Sequence, residues 1–187
     1  MPMYEDEFLE SWNVWAKAND WPPLEGEEFA SPPLDILAYA SRPIRLSRLP
    51  LFGRGMAVLA ITRHPADLRS DTAGIKAWAD RLARAVNGQF PPWKRVRPGA
   101  ILLIAVQLTP EPIRGEDEDR FKPVLGQWTG TRVVPSGIIR INLGQQAMAS
   151  VLAEGLPRDL PEIARLVDDW STRFSRFVPM WAESEKF

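Results

Sequence analysis

The chain has 187 residues, 45% of them apolar, with 23 basic against 24 acidic side chains and a formal charge of −1. That length suits one domain, and the composition allows an ordinary buried core. With no cysteine and a single histidine, His64, it excludes disulfides, thiolate nucleophiles, cysteine-ligated zinc or iron–sulfur centres, and a two-histidine metal site from one chain.

The near-neutral total conceals a division. Residues 1–30 carry eight acids against Lys17, a net of −7, whereas residues 36–106 carry twelve bases against Asp67, Asp71 and Asp80, a net of +9. Either the acidic N-terminal segment folds back over the basic middle, or the basic surface meets an anionic partner. No run of ~18 apolar residues suits a membrane-spanning helix. The acidic start, Met1 to Glu10, lacks the basic flank and apolar run of a secretory signal, so a cytoplasmic location and no membrane partner are the expectation.

Tyr4, Phe8, Trp12 and Trp15 form one apolar stripe, predicting a helix over residues 4–18 with Glu5, Asp6 and Glu7 in its favourable first turn. Residues 19–35 are an acidic connector containing Pro22, Pro23, Pro32 and Pro33. Residues 1–35 therefore read as a helix and proline-rich arm packed on a main domain of residues 36–187. Ile44 to Leu49, between Pro43 and Pro50, suggests a short edge strand. Gly53 and Gly55 can turn the chain into Met56–Thr62 (MAVLAIT), a strand apolar on both faces and so covered on both.

Ile75, Trp78, Ala79, Leu82 and Val86 mark a helix over 71–86, capped by Ser70 or Asp71 and closed by Asn87-Gly88 in a left-handed turn, with an Asp80–Arg84 pair on its surface. Ala100–Leu108 (AILLIAVQL) is a second continuous apolar strand. Strand, amphipathic helix and strand in this order predict a parallel crossover. Beyond it, 132–134 and 137–143 read as strands separated at Pro135, 145–154 as a short helix, and 160–178 as a final helix with Asp159 and Glu162 as a capping box and Pro161 in the first turn. The fold class expected is α/β, with α+β as the variant. It is a single domain with a mixed sheet containing one β-α-β crossover, an N-terminal hairpin strand and C-terminal helices.

Ligands favour the carboxyl ends of parallel strands. There the sequence offers Arg63 and His64 after the first buried strand, and Glu111 and the acidic run Glu116 to Asp119 after the second. Asp67, Glu116, Asp117 and Asp119 are candidate oxygen ligands for Mg²⁺ or Mn²⁺, although such a run is more often a solvated loop. Arg63-His64-Pro65 stands where a nucleotide-binding loop would need glycines. At the opposite edge Trp93, Lys94, Arg95 and Arg97 suit phosphate contact with base stacking. Trp12 and Trp15 suit either a core or a partner, since tryptophan is enriched at interfaces. With few of the groups most enzymes use, the favoured function is a non-catalytic protein-interaction or assembly module, its partner the same or another protein. A nucleic-acid-binding domain and a carboxylate–metal hydrolase or phosphotransferase are the alternatives, and no cofactor is expected.

Overall fold

The computed structural model describes residues 4–22, 34–44, 55–65, 68–69, 71–90, 99–127, 129–154, 156, 160–174 and 176–179. In chain order these form α1 (Glu5–Ala18), β1 (Ile36–Ile44), β2 (Gly55–Arg63), α2 (Thr72–Gly88), β3 (Ile101–Leu108), a short helix α3 (Asp117–Phe121) running into one 3-10 turn, β4 (Val133–Asn142), β5 (Ala147–Leu152), α4 (Pro161–Arg173) and β6 (Arg176–Pro179). The chain is an α/β domain with one six-stranded mixed sheet, in the order β1-β2-β3-β4-β5-β6. β1 is antiparallel to β2, β2, β3 and β4 are mutually parallel, β5 is antiparallel to β4, and β6 is parallel to β5. The β2-α2-β3 crossover is therefore present as the apolar runs predict.

Both faces of the sheet are covered, which is why β2 and β3 lack alternation. From β2, Met56, Val58 and Ala60 join α2, Phe121 and Val124 in one cluster, while Ala57, Leu59 and Ile61 join α1 and α4 in the other. On the first face Trp78, Leu82 and Val86 of α2 are fully enclosed. On the second, Phe8 and Trp12 of α1 lie against α4, with the Phe8 and Trp170 rings 5.0 Å apart. Connections of fixed hand must change faces when strand direction reverses. Accordingly the links β2 to β3 and β3 to β4 cross the α2 face, and after the β4–β5 reversal α4 crosses the other.

Several local expectations are corrected. The segment 145–154, expected to be helical, instead completes a turn and forms strand β5 over Ala147–Leu152. Asn142 Oδ1 accepts a hydrogen bond from the Gln145 amide at 2.8 Å and Gln146 takes a positive φ, so the chain reverses at once and pairs back along β4. The two short strands around Pro135 are one strand, β4. Pro135 is tolerated there because β5 pairs only from Gly137 onward and the β3–β4 register shifts beside it, so no ladder needs its missing N–H. The final helix ends at Arg173 and is followed by β6, not continued to 178. Pro161 does begin that helix, but Leu160 stands at its N-cap without a side-chain cap, and Asp159 lies outside the described residues.

The described partner of β2 in the hairpin is Ile36–Ile44, upstream of the strand expected over 44–49, and 45–54 lies outside the described residues. Helix α2 runs through Gly88 to a right-handed C-cap at Gln89 instead of closing in a left-handed turn. Its surface pair is Lys76–Asp80 at 3.3 Å, one turn earlier than Asp80–Arg84. Asp71 caps its start by accepting from the Gly74 amide at 2.8 Å. That bond, with Arg69 alongside, holds the Asp71 carboxyl below its ordinary range.

A Cβ on Gly74 would lie 2.3 Å from the Arg69 carbonyl oxygen. In an unobstructed helix Gly→Ala gains ~1 kcal/mol. Here Gly74→Ala is expected to lower stability by about 1–3 kcal/mol, because backbone must move; denaturant unfolding monitored by the tryptophans reads the sign. Burial raises the Tyr39 phenol well above its ordinary value. Above pH ~10 the unfolded tyrosine releases its proton while the folded one retains it, so stability falls as pH rises beyond that point. Tyr39→Phe should flatten this alkaline decline, measured as melting temperature from pH 9 to 11.

Candidate functional site

The parallel register lines up one residue from each of three strands near their carboxyl ends: Thr62, Gln107 and Arg140 are successive Cα partners. Two residues earlier the same register holds Ala60, Ala105 and Ile138. All six lie on the α2 face by strand alternation, so a polar row surmounts an apolar one. The row is deeply covered, with Thr62 and Gln107 inaccessible and Arg140 only 5% exposed.

A guanidinium in such a place needs compensation, since an unpaired buried charge is costly. Arg140 Nε donates to Gln107 Oε1 at 3.0 Å, and its Nη2 reaches Thr109 Oγ1 at 3.3 Å and Glu111 Oε2 at 2.9 Å. Its charge also lies over the Phe121 ring, 5.3 Å from the centroid. Glu111 is held by its own loop: its amide donates to Thr109 Oγ1 at 3.1 Å, and its carbonyl accepts from Asn142 Nδ2 at 2.9 Å. The other Glu111 oxygen, Oε1, is 3.6 Å from His64 Nε2, and His64 Nδ1 is 3.3 Å from Thr109 Oγ1.

Between these groups lies a niche of about 10 Å³ lined by His64, Gln107, Glu111, Arg120, Phe121 and Arg140 among others. That is room for about one water. Two buried polar atoms in this row, Thr62 Oγ1 and Gln107 Nε2, have no hydrogen-bond partner among the described residues.

A second feature lies on the outer side of α2. A groove of about 410 Å³ is lined by Arg69, Gly74, Ala77, Asp80, Arg81 and Arg84, together with Leu68. Gly74 gives its side-chain space to the Arg69 backbone, and Ala77 adds only a methyl group beside the lining arginines.

The residues singled out in the sequence separate. Arg63 and His64 sit at the expected edge but diverge, because consecutive residues of an extended strand point to opposite faces. Arg63 turns toward α1, where Glu5 takes Nε at 2.9 Å and Nη2 at 2.5 Å, and Asp35 takes Nη1 at 2.6 Å. These carboxylates, chiefly Glu5, raise the guanidinium's pKa further. His64 joins the niche, and the guanidinium that meets it is Arg140, not Arg63.

Trp12 is 1% exposed, enclosed by its own domain, and Trp15 is half-buried with its ring 6.0 Å from Trp21. The stripe thus packs inward at Phe8 and Trp12, whereas Tyr4, its first member, is exposed, as is Val14 off the stripe. Trp93, Lys94, Arg95 and Arg97 lie outside the described residues, as does Asp67. Glu116 and Asp119 are exposed, Glu116 pairs with Arg120 at 3.5 Å, and the side chain of Asp117 is outside the described set. Among the described residues no three acidic or histidine side chains cluster as a metal site would require. No helix among them is long and apolar enough to cross a membrane.

Sequence reasoning passed over Gln107, Thr109 and Arg140. The signal was present: Gln107 interrupts AILLIAVQL and Arg140 interrupts GIIRINL, each a polar residue near the end of an apolar strand. In comparison with known proteins, no family model, curated protein or solved structure matches the chain.

If Glu111 compensates Arg140, Glu111→Ala should cost about 1–2 kcal/mol, less than a fully buried pair because Glu111 is partly exposed. Combined with Arg140→Met, the loss should be smaller than the sum of the two single losses. Urea unfolding of the four proteins of this cycle measures the coupling.

Proposed function

We propose that the chain is a non-catalytic protein-interaction domain whose contact surface is the α2 groove and whose partner presents an acidic segment. The observation that carries this reading is the groove itself, where Arg69, Arg81 and Arg84 face a single lining carboxylate, Asp80. Counting the neighbouring Lys76 and Asp71, the surface holds four bases against two acids. A shallow trough with low walls of guanidinium groups accepts an extended backbone and offers planar forks to carboxylates. Complementary charge of this kind speeds encounter and selects partners more than it adds affinity.

An acidic protein segment is favoured over nucleic acid because much of the described basic charge, Arg69 with Asp71 included, is already committed. Arg42 is paired with Glu162, and Arg63 with Glu5 and Asp35. Among the described residues that leaves a local patch in place of a continuous cationic track.

The test is fluorescence anisotropy with a labelled glutamate-rich peptide, with a labelled single-stranded DNA oligonucleotide in parallel. Arg84→Glu reverses an exposed charge and should weaken peptide binding by about tenfold, with wild-type affinity falling as salt rises. Equal peptide binding by wild type and Arg84→Glu would remove the groove from consideration. Tighter binding of the oligonucleotide than of the peptide would favour the nucleic-acid reading.

A further inference from the structure

Independently of the α2 groove, the niche at the carboxyl edge has the construction of an anion seat already filled by a side chain of the same protein. Glu111 is 39% exposed at its side chain, whereas its two neighbours, the Arg140 guanidinium and the His64 imidazole, are 6% and 9% exposed. The guanidinium and the imidazole are therefore fixed in the wall, and the carboxylate is the member with access to solvent. It projects from the loop after β3 and places one oxygen on Arg140 and the other toward His64. Arg120 lines the same niche.

Glu111 does not use everything the wall provides. Gln107 is fully buried, and its Oε1 is committed to Arg140, which turns its amide nitrogen to a different direction. That Nε2 donor has no partner among the described residues. An amide in the wall of a polar niche, with its orientation set by a guanidinium and both Nε2 N–H groups without a partner among the described residues, is poised to bind an acceptor oxygen. The seat shows the form of its occupant: two oxygens on one planar group, spanning a guanidinium on one side and an imidazole on the other. When Glu111 swings outward it vacates the volume of one carboxylate beside the existing 10 Å³.

We infer that this niche binds a carboxylate group of an external ligand, which displaces Glu111 from Arg140 and takes a further hydrogen bond from Gln107 Nε2. The internal carboxylate acts as a competitor at high effective concentration, so the site is weak until Glu111 is removed or drawn away.

His64 is the only histidine in the chain, so its ring resonances report the niche without assignment ambiguity. Wild type and Glu111→Gln are titrated with sodium acetate while the His64 ring is followed by NMR, with sodium chloride at matched pH and ionic strength as the reference. Sodium phosphate is titrated in a parallel series. Acetate is expected to bind Glu111→Gln about tenfold more tightly than wild type, and adding Gln107→Met to that variant is expected to abolish most of the gain. Glu111→Asp, which keeps the charge but withdraws it by one methylene, should shift acetate affinity in the same direction and serves where Glu111→Gln unfolds. Folding of each protein is checked by thermal unfolding. An acetate response no larger than that to chloride in a folded Glu111 variant would overturn the inference, leaving a niche for water alone. An acetate response unchanged by Gln107→Met would remove the role of Gln107, and a stronger response to phosphate would overturn the carboxylate assignment.

Discussion

A buried guanidinium sets the terms for the carboxyl edge of this sheet. Arg140 lies in β4 between Ile139 and Ile141, both of which face the opposite core. Left alone, its charge would cost several kcal/mol. Its compensation comes from residues far apart in sequence: Gln107 from β3, Thr109 and Glu111 from the following loop, and Phe121 from α3. Only the in-register parallel pairing of β3 with β4 brings Gln107 beside it. Slipping that register by one residue would place Val106 or Leu108 there and turn the polar row into the other core. The buried charge therefore favours the correct strand alignment as well as forming the centre of the edge.

The same register explains why the edge is narrow. Both parallel connections, through α2 and through α3, pass over one face, so no cleft opens between β2, β3 and β4 from helices diverging to opposite sides. The change of face comes only after the β4–β5 reversal, where α4 packs behind the sheet. What remains at the edge is the space between the polar row, the loop carrying Glu111 and the short helix α3. That space suits a single functional group and not an extended cofactor.

The fold was legible where burial pattern and length agree. MAVLAIT and AILLIAVQL are too short for buried helices and too uniformly apolar for half-exposed strands, and the 3.6-residue stripe between them admits one packing. Legibility failed where local propensity opposed tertiary pairing. Ala147, Met148 and Ala149 are good helix formers, yet their segment pairs along β4 because the Asn142 turn delivers it there. Pro135 looked like a break because its acceptability depends on where β5 ends, a fact no local window contains. At the site, His64 and Glu111 were visible from loop position alone. Arg140 was hidden because a charged residue inside a strand reads locally as a solvent-facing position, and only the full sheet shows that both faces of β4 are covered.

The charge segregation of the sequence resolves into pairings at different ranges. Of the acidic residues 1–30, Glu5 takes the fork of Arg63 in the basic middle, and Asp35, beyond that segment, shares it. Arg42 instead reaches forward to Glu162 on α4, while Arg69 and Lys76 use acids within their own helical neighbourhood, Asp71 and Asp80. Long-range pairs hold α1 and α4 to the sheet, and the outer side of α2 carries more bases than acids, with Arg84 exposed there. A helix packed on one side by its own sheet, with excess charge on the other, carries its fold and its surface field on separate residues. Trp78 and Leu82 serve the first while Arg84 serves the second, so the exposed face can change charge without disturbing the core beneath it.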